Sequence, residues 1–141
     1  MVTKNDNIQD IAAFIQQHPV VAIATADLQG NPDVSIVYCA VSMDNAFEFI
    51  TLRETNKGHH LLENPRISLT AFDAKHTVAV KVSGVVEEMT DASQQTELFN
   101  KILVVSQMTR DSYLPPVTQM QAGEFVFYRL VAEHAVMTAY S

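Results

Sequence analysis

The 141-residue sequence predicts a mainly β fold: a closed or partly closed antiparallel barrel with helices at its edges. Three observations predict it. Six or seven short runs rich in β-branched and aromatic residues are separated by tight, turn-forming loops, which favour antiparallel pairing. These runs do not alternate regularly with long helices, which argues against a doubly wound parallel sheet. One run, VSIVYCAV (Val34–Val41), is apolar on both alternating faces and so is expected to be covered on both.

The elements follow in order. NIQDIAAFIQQHP sets Ile8, Ile11, Ala12 and Ile15 at helical spacing. Asn5, Asp6 or Asn7 can cap it, and Pro19 ends it. VVAIATA (Val20–Ala26) reads as a strand, followed by a turn through Gly30, Asn31 and Pro32. VSIVYCAV and FEFITL (Phe47–Leu52) are the next two strands, joined by MDNA. A short helix is expected from about Thr55 to Glu63, stopped before Pro65. RISLTAF and VAVKVSGVVEEM are further strands, with Gly84 marking a bulge or bend. Asp91 can cap a second amphipathic helix carrying Leu98, Phe99, Ile102 and Val105. MTRDSYLPPVTQMQAG (Met108–Gly123) reads as a loop, because Pro115 and Pro116 exclude regular structure. EFVFYRLVAEHAVMTAY supplies one or two final strands.

Length fits one domain, residues 1–141, with a real core. Sixteen Asp and Glu against nine Lys and Arg give a net charge of -7. That balance argues against a duplex nucleic-acid binder and against docking on anionic membranes. No apolar run approaches the ~20 residues that span a bilayer. The N-terminus lacks a signal-peptide apolar region, and a lone cysteine excludes an internal disulfide. A soluble cytoplasmic protein is expected.

Against that acidic background, TLRETNKGHHLLENP (Thr51–Pro65) gathers Arg53, Lys57, two threonines and two histidines directly after an apolar strand. Thr51 ends the strand, and Thr55 is a good N-cap. The first helical amides have no internal partner and point outward. Lys57 in that first turn opposes the helix dipole unless an anion is bound. A phosphate site and a plain solvated helix start both fit the spacing. His59 and His60 are adjacent on a helix and diverge, so no metal site is expected. Cys39 lies mid-strand and reads as a core thiol. Glu87 and Glu88 read as a solvated strand end. Tyr128, Arg129 and His134 can either line a pocket or pack.

At these residues the chain resembles the pyridoxamine 5'-phosphate oxidase-like FMN-binding split-barrel superfamily. The resemblance rests on VVAIATADLQGNPDVSIVY, then FEFITLRETNKGHHLLENPRISLTAF, then VKVSGVVEEMTD. The matching pattern is a strand ending in Thr, a Ser/Thr-x-Lys helix start, Leu, Asn-Pro and a strand. It implies a six-stranded split barrel forming a homodimer, with FMN at the interface. The phosphate would sit on Thr51, Thr55, Asn56 and Lys57. The ring would lie near Ser35, Ile36, Val37 and Tyr38. The activity implied is that of a flavoprotein oxidoreductase, with a non-catalytic flavin or haem binder and a cofactor-free dimeric module as alternatives. Where the oxidases carry arginine this chain has Ser35 and Asn56, and where they carry glutamine it has Ala79. It also lacks tryptophan and the C-terminal Arg-x-His-x-Arg motif. These departures point away from vitamin B6 oxidation.

Overall fold

A computed structural model describes residues 1–108 and 125–140. The elements are β1 (Val2–Asn5), α1 (Ile8–Gln17), β2 (Val20–Ala26), β3 (Pro32–Tyr38), β4 (Ala40–Val41), β5 (Phe47–Leu52), α2 (Asn56–Glu63), β6 (Arg66–Asp73), β7 (Val78–Glu88), α3 (Ala92–Met108) and β8 (Phe125–Tyr140). Apart from Met108 at the end of α3, the loop expected over Met108–Gly123 lies outside the described residues.

The strands pair antiparallel in the order β3-β2-β6-β7-β8-β5-β4, with β1 added on β8. β3 and β4 are separated only by Cys39, yet β3 pairs with β2 and β4 pairs with β5. The two ends of the sheet are therefore one stretch of chain, and the sheet curls into a split barrel. The sequence expectation of a single strand over Val34–Val41 is corrected here. The chain changes partners at Cys39, whose N–H turns to the Pro19 carbonyl at 2.8 Å. Counting β3 and β4 as one barrel strand gives the six expected, and β1 is an addition that VTKN did not announce.

Alternation fills the interior. Val21 and Ile23 of β2, Ile67, Leu69 and Ala71 of β6, and Val80 and Val82 of β7 point inward with Phe47, Phe49, Tyr128 and Leu130. Ile11, Ala12 and Ile15 of α1 close the same core. Asn7 is the α1 cap, accepting from the Asp10 N–H. Asp91 caps α3 by accepting from the N–H groups of Ser93 and Gln94. A second cluster packs Tyr38, Ala40 and Met89 against Leu98 and Ile102 of α3. The doubly apolar strand thus finds part of its outer cover within its own chain. Val37 and Cys39 face the barrel, and Tyr38 and Ala40 face α3.

Gly84 marks a bulge, as its place in the strand suggests. Ser83 pairs with His134 and Gly84 with Ala132, so Glu133 is the extra residue. A Cβ at Gly84 would lie 2.1 Å from the Val131 carbonyl oxygen, so only glycine allows this approach.

Candidate functional site

The site is built where β5 ends and α2 begins. Thr55 is the N-cap of α2, and its hydroxyl accepts from the Gly58 N–H at 3.0 Å. The same hydroxyl donates to the Leu52 carbonyl at 2.8 Å, which folds the helix start back onto the strand end. Gly58 makes this possible. A Cβ there would come within 2.3 Å of the Leu52 oxygen and 2.5 Å of the Arg53 oxygen. The buried Thr51 hydroxyl lies 3.5 Å from that of Thr55.

Lys57 leaves the first turn of α2 and runs inward, where it is only 8% exposed. Its ammonium donates to the Ser35 hydroxyl of β3 at 3.2 Å. Among the described residues it forms no ion pair within 4 Å. Burial pushes its pKa below the ordinary lysine value, and the charge of Asp33 works against that shift. The first amides of the helix, on Asn56 and Lys57, have no intrahelical acceptor. The Lys57 ammonium, the Thr51 hydroxyl and the two amides thus all belong to the end of the barrel where β5 gives way to α2. This donor set suits a dianionic phosphate. The Thr55 hydroxyl is already spent on its cap, so its contribution is to fix the amides.

The expected ring-side residues separate. Ile36 is 53% exposed on the outer face of β3, beside Val34. Ser35 is half-buried and belongs to the Lys57 contact. Val37 is buried in the barrel core and Tyr38 in the cluster under α3, so a ligand could meet them at their backbone.

Several contacts were not visible in the sequence. His60 Nδ1 lies 3.0 Å from the hydroxyl of the buried Thr25, bracing α2 against β2. Arg53, just past β5, reaches Glu88 at the end of β7 at 3.8 Å, the two strands flanking β8. Glu48 and Arg129, opposite each other on β5 and β8, form a pair at 2.7 Å with Glu48 buried. A carboxylate inside FEFITL facing an arginine inside FVFYRL was the available signal for that pair. His59 is exposed and near Glu54, not beside His60's partner. Burial pushes the Cys39 thiol up to about 12, which leaves it protonated and inert. No helix among the described residues is long and apolar enough to cross a membrane.

An antiparallel split barrel with a polar, anion-sized cradle between a strand end and a helix start is the class that fold and site define. The chain belongs to the pyridoxamine 5'-phosphate oxidase family, whose sequence model matches residues 8–137. A pyridoxine/pyridoxamine 5'-phosphate oxidase from Bordetella pertussis is 30% identical over 130 residues, covering 88% of this chain and 60% of that protein. One from Deinococcus deserti is 37% identical over 68 residues, 48% of this chain and 32% of that protein. The chain thus spans less than two thirds of the length of these relatives, 60% of the one and 32% of the other. A FAD-binding protein from Mesorhizobium loti shares the fold with a TM-score of 0.75 at 20% identity, over 100% of this chain and 99% of that one. A haem storage protein from Vibrio cholerae does so with a TM-score of 0.65 at 19% identity, over 91% of each chain.

Proposed function

We infer that this protein binds FMN and works as a flavin-dependent oxidoreductase, as a homodimer with the cofactor at the subunit interface. The observation that carries this reading is Lys57: a buried ammonium that meets a hydroxyl and no carboxylate among the described residues. Burying a charge with no carboxylate in contact is costly, Asp33 offsetting only part of that cost from a distance, and a bound phosphate would offset the rest. Lys57, Thr51 and the Asn56 and Lys57 amides would hold the phosphate, with Thr55 fixing the helix start. The ring would lie against β3 near Ser35, Ile36, Val37 and Tyr38. FMN, when bound, supplies hydride or electron transfer. The chain's part is to orient the ring and exclude water. An acidic chain with a single cysteine favours the cytoplasm as its setting.

Oxidation of pyridoxine phosphate is expected to be weak, because the chain has no tryptophan and carries Ala79 where the oxidases carry glutamine. The second reading is a non-catalytic flavin or haem binder. It is supported by the fold shared with the Vibrio cholerae haem storage protein.

The test is titration of wild type and Lys57→Ala with FMN and riboflavin, followed by flavin fluorescence. Lys57→Ala should weaken FMN roughly tenfold to a hundredfold. Riboflavin, which lacks the phosphate, should be indifferent to it. Equal FMN affinity in both proteins would sink the reading. Reduction of the bound flavin by NADH or NADPH then separates the oxidoreductase from the plain binder.

A further inference from the structure

One carboxylate stands beside the Lys57 cradle. Asp33 lies on β3 two residues before Ser35, roughly 7 Å along the strand. Strand side chains two apart share a face. Ser35 pairs with the core residue Ile23, and Asp33 with the buried Thr25, so both turn to the inner side of the sheet. The α2 helix meets this row from the other side. Lys57 reaches the Ser35 hydroxyl at 3.2 Å, and His60 lies 3.0 Å from the Thr25 hydroxyl. Lys57 and His60 are three apart and share a helix face, so the half-buried Asp33 is flanked by both contacts.

Charge singles Asp33 out. Burial lowers the pKa of Lys57, and the charge of Asp33 is what works against that shift. Neither group forms an ion pair within 4 Å among the described residues. The charges around them are engaged elsewhere. Arg53 is drawn to Glu88 at 3.8 Å. Asp27, just past β2, accepts from the Asn31 side chain at 2.9 Å and from the backbone N–H groups of Gln29 and Asn31. Lys57 and Asp33 are therefore a loose pair, attracted but not in contact. An anion that takes Lys57 replaces Asp33 as its counter-charge and is repelled by it. Between half-buried groups that repulsion is screened less than it would be on the open surface.

We propose that Asp33 is a specificity-determining residue of the cradle: it is the counter-charge of Lys57 in the ligand-free protein, and it weakens the hold on a doubly charged phosphate, so that the anion is held exchangeably. That the anion is the phosphate of FMN rests on the function proposed above; the rivalry between Asp33 and an anion for Lys57 does not.

The test titrates wild type, Asp33→Asn, Asp33→Ser and Asp33→Glu with two sets of probes. FMN and riboflavin are followed by flavin fluorescence, and inorganic phosphate by the NMR signal of the Lys57 side chain. Asp33→Asn and Asp33→Ser should bind FMN and phosphate about three- to tenfold more tightly, and Asp33→Glu should stay near wild type. Riboflavin should not distinguish the four proteins. The gain should shrink as salt is raised, because Asp33 is only half-buried. In the ligand-free protein the Lys57 signal should titrate at lower pH in Asp33→Asn than in wild type, which a purely structural role for Asp33 would not produce. Phosphate bound no more tightly by Asp33→Asn than by wild type overturns the proposal, and so does an unmoved Lys57 titration. A gain for riboflavin equal to that for FMN overturns it too, because Asp33 would then act on the ring or on the fold. An unchanged FMN affinity in Lys57→Ala, with the phosphate gain in Asp33→Asn intact, sinks the FMN reading alone.

Discussion

The Lys57 ammonium of α2 donates to the Ser35 hydroxyl of β3 at 3.2 Å, joining a helix start to a barrel strand through a buried charge. A hydroxyl is a weak partner for an ammonium taken out of water. The contact therefore leaves Lys57 a cost in the protein without ligand, and it supplies an attraction for an anion.

The first prediction follows from the direction of its pKa. Burial lowers the folded value below the ordinary 10.5, so over the window between the two the unfolded chain binds more protons than the folded one. Stability of the ligand-free protein should rise with pH through that window. The penalty of the buried charge is fully present below it and gone above 10.5. Lys57→Met should flatten this rise and leave the ligand-free protein as stable or more stable at neutral pH. Urea unfolding of both proteins across alkaline pH checks it. A wild-type profile no steeper than that of Lys57→Met would show that burial of this charge costs nothing.

The helix start offers a second. Thr55→Ala removes the acceptor of the Gly58 N–H and should cost about 1 kcal/mol, while Thr55→Ser should keep most of the cap. Gly58→Ala should cost more, about 1–3 kcal/mol, because its Cβ would press on two backbone oxygens that cannot move aside cheaply. Both variants should lose FMN affinity in step with the loss of helix order. Thermal unfolding and far-ultraviolet circular dichroism, read beside FMN titration, measure this. A Gly58→Ala protein with wild-type stability would mean that the strand end and helix start do not pack this closely.

Glu48 and Arg129 give a third. The side chain of Glu48 is 4% exposed and that of Arg129 29%. Glu48→Ala should cost about 2 kcal/mol, below the ~3–5 of a fully enclosed pair, because water still reaches part of the guanidinium. Adding Arg129→Met should recover part of that loss. A double-mutant cycle by denaturant unfolding would refute the pairing if the two losses simply add.

Strand positions were legible because alternation and turn chemistry are local. Phe47–Leu52, Val78–Glu88 and the cap at Thr55 follow from neighbours a few residues away. The partner change at Cys39 was not legible, since it is set by barrel closure between residues far apart in sequence. The same holds for the site. Thr55 and Lys57 stand out in the sequence by spacing. The Ser35 contact, the His60–Thr25 brace and the place of Asp33 beside them exist only once the register is known. Tyr38 is a further case: its pattern asked for cover on both faces of the strand, and only the fold shows that α3, distant in sequence, supplies that cover.

The last prediction concerns the outer face of β3. Val34 and Ile36 are 68% and 53% exposed, and both point away from the barrel. Single exposed apolar residues are ordinary, but these are continuous with others. Ile36 pairs with Ala22, and Val34 with Ala24, which pairs in turn with Ser68. Small side chains on the neighbouring strands beside two large apolar ones make a flat surface that a second copy can approach closely. We expect a homodimer through this face, burying on the order of 1,000–2,000 Å². Val34→Glu/Ile36→Glu should place like charges against each other and shift the protein to monomer. The substituted residues lie outside the core, so the monomer should keep its fold. If FMN lies at the interface, its affinity should fall with the dimer although Lys57 and Thr51 are untouched. Sedimentation at micromolar concentration, with FMN titration of the same samples, reads both effects. A wild-type monomer would remove the dimer, and a charged variant that still dimerises would move the interface to another face. A monomeric variant that binds FMN as wild type does would place the cofactor within one subunit.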